Sequence, residues 1–307
     1  MTMDLKPSDL LSSTQLREIK KKKDWKNVSY LFLNWLQIFL SMAIYHFFPS
    51  VVTLILGIII VGSRQFALAV LMHEGAHSLL FDNKKINDWV AQWLCAFPIF
   101  NDNRPYRTYH LLHHRYTETN KDPDLSLSAP FPIKPVSLLR KIIRDLTGLT
   151  GIKRYKETFQ SIFFGKDKEK NKFREGIWDK FRGFFITNCA LFFIVSYFFN
   201  WSVFFLLWWL PSLTYYSLII RIRNIAEHAV TAKDNNLTNT RTTIASPFAR
   251  YFMVPLHVNY HLEHHLFTNC PWYNLPKAHN MLKKNGFLDR MCVEDSYYNV
   301  LKKAIGG

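Results

Sequence analysis

Eight of the twelve histidines fall in three short clusters: His73 and His77 in HEGAH, His110, His113 and His114 in HLLHH, and His261, His264 and His265 in HLEHH. On a helix, residues at i and i+4, or at i, i+3 and i+4, project from one face about a turn apart, so their imidazoles can converge on a common ion. A single histidine is ordinarily a surface or hydrogen-bonded side chain, and one HxxHH match is only suggestive. Two such matches together with an HxxxH form a joint pattern that points to metal binding. Structural zinc takes four protein ligands and catalytic zinc about three, so eight or more imidazoles imply two ions.

Other residues stand close enough in sequence to join or support this set. His228 follows Asn224 by one helical turn in the segment RIRNIAEH, which makes it the natural ninth ligand. Asn224 is a weaker or water-mediated ligand, or else a helix-end hydrogen-bonding group. His257, four residues before His261, fits a supporting role better than a ligating one. Ligating imidazoles usually pass their second N–H to a carboxylate, and Glu74, Asp122, Asp124, Glu227 and Glu263 are placed to receive it or to be solvated. His46 and His279 are read as outside the site.

The elements that must position these residues are legible from charge. From Asn27 to Ser63 there is no Asp, Glu, Lys or Arg. As one helix that run would extend roughly 55 Å, far beyond a hydrocarbon core of about 30 Å. Pro49 and Ser50 near its centre predict a turn, with one helix at about Val28 to Phe47 and a second from about Val51. A second uncharged run, Gly183 to Ile220, has Asn200, Trp201 and Ser202 at its centre and predicts another hairpin. Every Lys and Arg then falls on one side of the membrane, which the positive-inside bias makes cytosolic. The expected fold class is all-α: an integral membrane protein with four transmembrane helices in two hairpins, about 28–72 and 184–221. A cytosolic helical cap, about 73–182 and 222–307, completes a single domain over 1–307. Both termini and every histidine except His46, at the outer turn of the first hairpin, are expected on the cytosolic side.

The net charge of +16 alone does not choose among nucleic acid, anionic lipid and acidic protein. Its position beside the apolar runs points away from nucleic acid. The basic runs Lys20 to Lys23 and Lys166 to Lys172 fit anionic headgroups or a solvated surface equally well. Trp89 to Phe100 is uncharged but too short to span, and reads as an interfacial or re-entrant helix, with a buried core helix as the competing reading. The first apolar run starts too late and is too long for a cleaved signal peptide. Cys95, Cys189, Cys270 and Cys292 show no paired spacing and are read as reduced thiols.

The three boxes, the DPD of Asp122 to Asp124, the segments NYHLEHHLF and PWYNLP, and the Asn224–His228 element resemble the membrane fatty acid desaturase and hydroxylase superfamily, over about Phe66 to Leu275. The resemblance implies a four-helix bundle with a cytosolic cap and two non-haem irons (Fe2+/Fe3+) held by His73, His77, His110, His113, His114, His228, His261, His264 and His265. It also implies O2 as co-substrate. Imidazole donors suit zinc, copper, nickel and iron alike, so iron comes from the resemblance and from the chemistry an alkyl chain demands. The implied reaction is desaturation of a fatty acyl chain of a lipid or thioester, reached through an apolar tunnel between cap and bundle. No dinucleotide fingerprint, haem-attachment motif or iron–sulfur pattern is visible, so electrons are expected from a separate protein, a ferredoxin or a cytochrome b5, drawn to the basic cytosolic face. The membrane would be a bacterial inner membrane or the endoplasmic reticulum. A carotenoid ketolase or hydroxylase shares the scaffold and is the nearest alternative. A membrane zinc hydrolase or a metal transporter is more distant, because transport calls for ligands near the bilayer midplane.

Overall fold

In the computed structural model, residues 4–164 and 170–307 are described, with side chains described up to 161 and again from 181. The basic run Lys166 to Lys172 therefore lies outside the described side chains. Two short helices, Pro7–Leu10 and Ser13–Ile19, precede α1 (Asp24–Phe47). The chain turns at Pro49 and re-enters helix as α2 (Val51–Ala76), whose N-terminus is capped by the Ser50 hydroxyl accepting the Thr53 N–H at 3.1 Å. The turn thus falls where Pro49 and Ser50 predict it, while α1 begins at Asp24, before the uncharged run.

After α2 come α3 (Lys84–Val90), a π-helical turn at Ala91–Ala96, a 3-10 turn at Phe97–Ile99, and α4 (Asn103–Tyr116). Ala91, Cys95, Ala96 and Phe97 are buried while Trp89 stays exposed, so this short apolar stretch follows the buried-helix reading along most of its length. Helices α5 (Pro135–Leu146), α6 (Leu149–Phe164) and α7 (Lys170–Phe198) follow. The second apolar pair closes through Trp201–Phe204, π-helical Phe205–Trp209 and Leu210–Leu213, then α8 (Tyr215–His228). The last part carries α9 (His261–Leu266), α10 (Leu275–Lys284), α11 (Tyr297–Ala304) and a two-residue parallel pairing of β1 (Thr242–Thr243) with β2 (Val293–Glu294).

Among the described residues four helical stretches are long and apolar enough to cross a membrane: Ser13–Phe47, which includes α1, then Val51–Ala76, Phe181–Phe198 and Trp201–His228. The first and third bury only 22% and 28% of their most apolar windows, the second and fourth 61% and 56%. The inner pair, α2 and α8, carries His73, His77 and His228 at its ends; the outer pair exposes Phe32, Leu40, Phe193 and Tyr197. Such apolar exposure marks a contact with something other than water.

Two glycines set close approaches. A Cβ at Gly75 would strike Ala91, so the histidine-bearing end of α2 can press against the π-turn only because Gly75 has none. A Cβ at Gly151 would strike the backbone of Leu213, which ties α6 to the helix leading into α8.

Candidate metal centre

The last turn of α2 delivers His73 and His77, α4 delivers His110, His113 and His114, the end of α8 delivers His228, and α9 delivers His261, His264 and His265. Their nitrogens gather in two groups, one of His73, His77, His110, His114 and His264 and one of His113, His228, His261 and His265, with the donor atoms of each group within 4.8 Å of one another.

The division corrects the expectation that all three members of an HxxHH cluster face one ion. His110 and His114 share a group, as do His261 and His265, but His113 and His264 each join the opposite one. Adjacent helical residues diverge by about 100°, so the histidine beside the i+4 member aims at a different centre. Box two and box three therefore each serve both groups.

The Nε2 atoms approach closely: His114 to His110 at 2.9 Å, His114 to His264 at 3.0 Å, His228 to His261 at 2.9 Å and His261 to His265 at 3.0 Å. Nitrogens held about 2.1 Å from one ion and 90° apart lie about 3.0 Å from each other. Both nitrogens of His73, Nε2 of His77 and Nδ1 of His114 and His228 are buried without a hydrogen-bond partner. Native structures rarely leave so many buried polar atoms unpaired. The unpartnered nitrogens of His73 and His77 beside converging Nε2 atoms fit a bound cation in the first group, and the converging Nε2 atoms of His228, His261 and His265 fit one in the second. The donor set is all imidazole, with no thiolate, which suits borderline metals.

Burial keeps the rings of His77, His110, His261, His264 and His265 neutral and able to donate a lone pair. It pushes His77 down to about 4, helped by Arg107, and drives His110, His261, His264 and His265 well below the ordinary imidazole range, with neighbouring imidazoles adding to the shift.

The carboxylates divide unevenly. Asp122 accepts from His113 Nδ1 at 2.8 Å and from the amides of Glu118 and Asp124, each at 2.8 Å. Burial pushes its carboxyl up, but these bonds outweigh it and hold Asp122 below its usual range. Asp124 stands 3.7 Å from His113 and bonds Tyr109. Glu227 lies 3.4 Å from His261 Nδ1 while held by Arg223 at 2.5 Å. Glu74 is 3.6 Å from His73 and accepts the Trp272 amide at 3.0 Å. Glu263 turns away from both groups, to His279 Nδ1 at 2.6 Å and the Thr242 hydroxyl. His257 stands outside the groups, stacked on Trp272 with ring centroids 5.9 Å apart.

Sequence reasoning missed Glu118, a buried carboxylate with φ +58°, 3.5 Å from His228 Nδ1 and 2.6 Å from Lys233. It also missed Arg241, fully buried, which donates to the carbonyls of Ala226, Ala229 and Val230 at 3.1, 2.8 and 2.9 Å and so caps the helix end that presents His228. No spacing signal marks either residue.

Two cavities flank the histidines. One of about 140 Å³ runs along Phe66, Ala69, Val70 and Met72 to His73, roofed by Tyr106, Arg223 and Val258. The other, about 150 Å³, is lined by Tyr109, His110, His113, Asn224 and His228, which sets Asn224 beside the four-histidine group.

Comparison with known proteins gives the chain a family. A curated relative, dihydrorhizobitoxine desaturase of Bradyrhizobium elkanii, is 26% identical over 233 residues, which cover 73% of this chain and 66% of the relative, a little under two thirds of its length. The family model described as fatty acid desaturase matches residues 48–293, most of the chain and all nine gathered histidines. The chain belongs to the fatty acid desaturase family.

Proposed function

We propose that this protein is an oxygen-dependent desaturase of an acyl chain, working at two irons held by the nine histidines and supplied with electrons by a separate donor protein. The observation that carries the reading is the sorting of nine imidazoles into groups of five and four, with Nε2 atoms converging to 2.9–3.0 Å in both. His73, His77, His110, His114 and His264 would hold one ion, and His113, His228, His261 and His265 the other, with Asn224 a water-mediated neighbour. Asp122 fixes the ring and tautomer of His113 through Nδ1, leaving Nε2 to face the centre. Glu227 supports His261 more loosely.

Iron at these positions supplies what imidazole and carboxylate lack, the ability to use dioxygen against an unactivated C–H bond. The overall reaction takes two hydrogens from neighbouring methylene carbons and reduces dioxygen to two waters, with two donor electrons and two protons completing the balance. The apolar cavity beside His73 would seat the chain, and its walls of Ala69, Val70 and Met72 exclude water and decide which carbons lie within reach.

In the same reading the chain is one unit over 1–307, with hairpins at about 28–72 and 184–221 and the cap, both termini and the histidines in the cytosol. Support comes from four apolar helices and from the confinement of basic residues to the segments outside the uncharged runs.

Expression in a desaturase-deficient host, with wild type and His264→Ala compared by lipid and pigment profiling, tests the proposal. New double bonds that vanish in the variant are the expected result. Oxygenated carotenoids would move the assignment to a ketolase or hydroxylase, and one zinc per chain in purified enzyme would end it.

A further inference from the structure

The strongest feature outside the histidine centre is an apolar stripe on α5 that none of the described residues covers. Val136, Leu139, Ile143 and Leu146, at i, i+3, i+7 and i+10, lie on one side of the helix and are 71%, 55%, 50% and 48% exposed. Leu149 and Ile152 continue the stripe onto α6. The neighbouring sector of α5 is buried: Leu138 packs with Ile225, Ala226 and Val300, and Asp145 is fully enclosed. The sector on the other side carries Arg140 and Arg144, both exposed. The only acidic residue of α5 is the buried Asp145, and on the exposed part of α6 Glu157 sits beside Lys153 at 3.7 Å.

Contacts set the height of this corner relative to the apolar helices. Arg221, at the end of the uncharged run, grips Asp145, with Nη2 to Oδ1 at 2.8 Å. Arg154 donates to the Ser212 carbonyl at 2.7 Å and to the Ser217 hydroxyl at 3.2 Å, and the Tyr155 hydroxyl donates to Ser212 at 2.9 Å. Gly148 and Gly151 lie against Leu213. Ser212 is eight residues, about 12 Å of helix, inside the end of the uncharged run at Ile220. The α5–α6 corner is thus strapped to a level the apolar run already occupies.

We propose that α5 is an in-plane membrane helix, its Val136–Leu146 stripe inserted among the acyl chains of the inner leaflet and its Arg140 and Arg144 paired with anionic lipid headgroups. Lipid is favoured over a protein partner by two observations: the Leu146 end of the stripe and its continuation on α6 are held where an uncharged run ends, and the flank is cationic, with Lys156 extending the charge along α6. The inference rests on the membrane-spanning reading of the apolar helices and is independent of what the enzyme oxidises.

The test uses the full chain with Cys189→Ser and Cys292→Ser, leaving the enclosed Cys95 and Cys270 in place. Single fluorophores are attached at I143C, at F193C on the exposed face of α7, and at K284C on α10. The protein is reconstituted into phosphatidylcholine vesicles with and without phosphatidylglycerol. Nitroxide-labelled lipid should quench I143C as strongly as F193C, and iodide should quench it several-fold less than K284C. Joint R140Q and R144Q substitution should remove the increase in lipid quenching that phosphatidylglycerol brings. Iodide access at I143C equal to that at K284C overturns the proposal. So does shielding from both quenchers, which would mean that a protein surface or a second copy covers the stripe. Loss of lipid quenching at F193C would instead sink the membrane-spanning reading, and this inference with it.

Discussion

Replacing Asp122 by Asn perturbs one of the two histidine groups and leaves the other untouched. The Asp122 carboxylate accepts three bonds at 2.8 Å: Oδ1 takes His113 Nδ1 and the Asp124 amide, and Oδ2 takes the Glu118 amide. Asparagine can keep its carbonyl in the Oδ1 position, but its NH2 then confronts the Glu118 N–H with a second donor. A hydrogen bond to a charged group is worth about 1.5–3 kcal/mol net, against about 0.5–1.5 for a neutral one, so His113 loses roughly 1 kcal/mol of support. The unmet amide adds about another 1 kcal/mol, and together they weaken metal binding by roughly 10- to 100-fold, the range that losing such a partner ordinarily costs. His113 belongs to the four-histidine group only. In a chelator titration followed by metal analysis, the variant should fall from two ions per chain to about one at a chelator concentration where the wild type keeps both. If both ions leave in parallel, or if the variant holds two as tightly as the wild type, the assignment of His113 and Asp122 to a separate centre is wrong.

Three other perturbations follow from the geometry. Arg241→Met strips the carbonyls of Ala226, Ala229 and Val230 of a charged donor at the end of α8 and should destabilise the protein by about 3 kcal/mol or more, read as a lower thermal midpoint in detergent; an unchanged midpoint would show the cap to be dispensable. Gly75→Val drives a side chain into Ala91 and should cost about 1–3 kcal/mol and displace His73 and His77, so that metal content and midpoint fall together. The metal-free protein should lose stability in acid: burial holds folded His77 at about 4, below the unfolded imidazole, so the unfolded chain takes up the proton first. Stability is then complete above about 6.5 and declines by about 1.4 kcal/mol per pH unit for this residue as pH falls toward 4, with His110, His261, His264 and His265 acting in the same direction. A chelator-stripped sample melting no lower at pH 5 than at pH 7.5 would contradict this.

The histidines were legible because helical spacing and uncharged runs are both local signals. Pro49 with Ser50, and Asn200 with Trp201, mark turns that the structure places at Phe48–Ser50 and Phe199–Asn200. What the sequence could not show depends on how helices cross. His113 and His114 are neighbours in HLLHH, yet they face different groups because α4 runs between α2 on one side and the end of α8 on the other. Glu263 has the spacing of a partner for a ligating ring, but α9 packs on α10 and β1, so it meets His279 and Thr242. The stripe on α5 has the same period as a core-facing helix, and only the tertiary fold shows that Leu138 faces inward while Leu139 and Ile143 do not.

The interlocked division of the histidines also constrains how the two groups can move. Helix α2 supplies rings only to the five-histidine group and α8 only to the four-histidine group, whereas α4 and α9 supply both. The distance between the groups is therefore set by two short helices, each carrying adjacent histidines that diverge by about 100°. Thr117, just past α4, adds a cross-tie, with its hydroxyl 3.2 Å from His265 Nδ1. Helices α2 and α8 hold the outer rings and also wall the apolar cavity, through Phe66, Ala69 and Val70 on one and Tyr216 and Ile220 on the other. A shift between them that widened this cavity would displace His73 and His228 before it altered the spacing of the two groups. In the proposed reading fold and chemistry would be coupled at that point: the helices that wall the cavity would also complete each histidine group, while the spacing of the groups is left to α4 and α9.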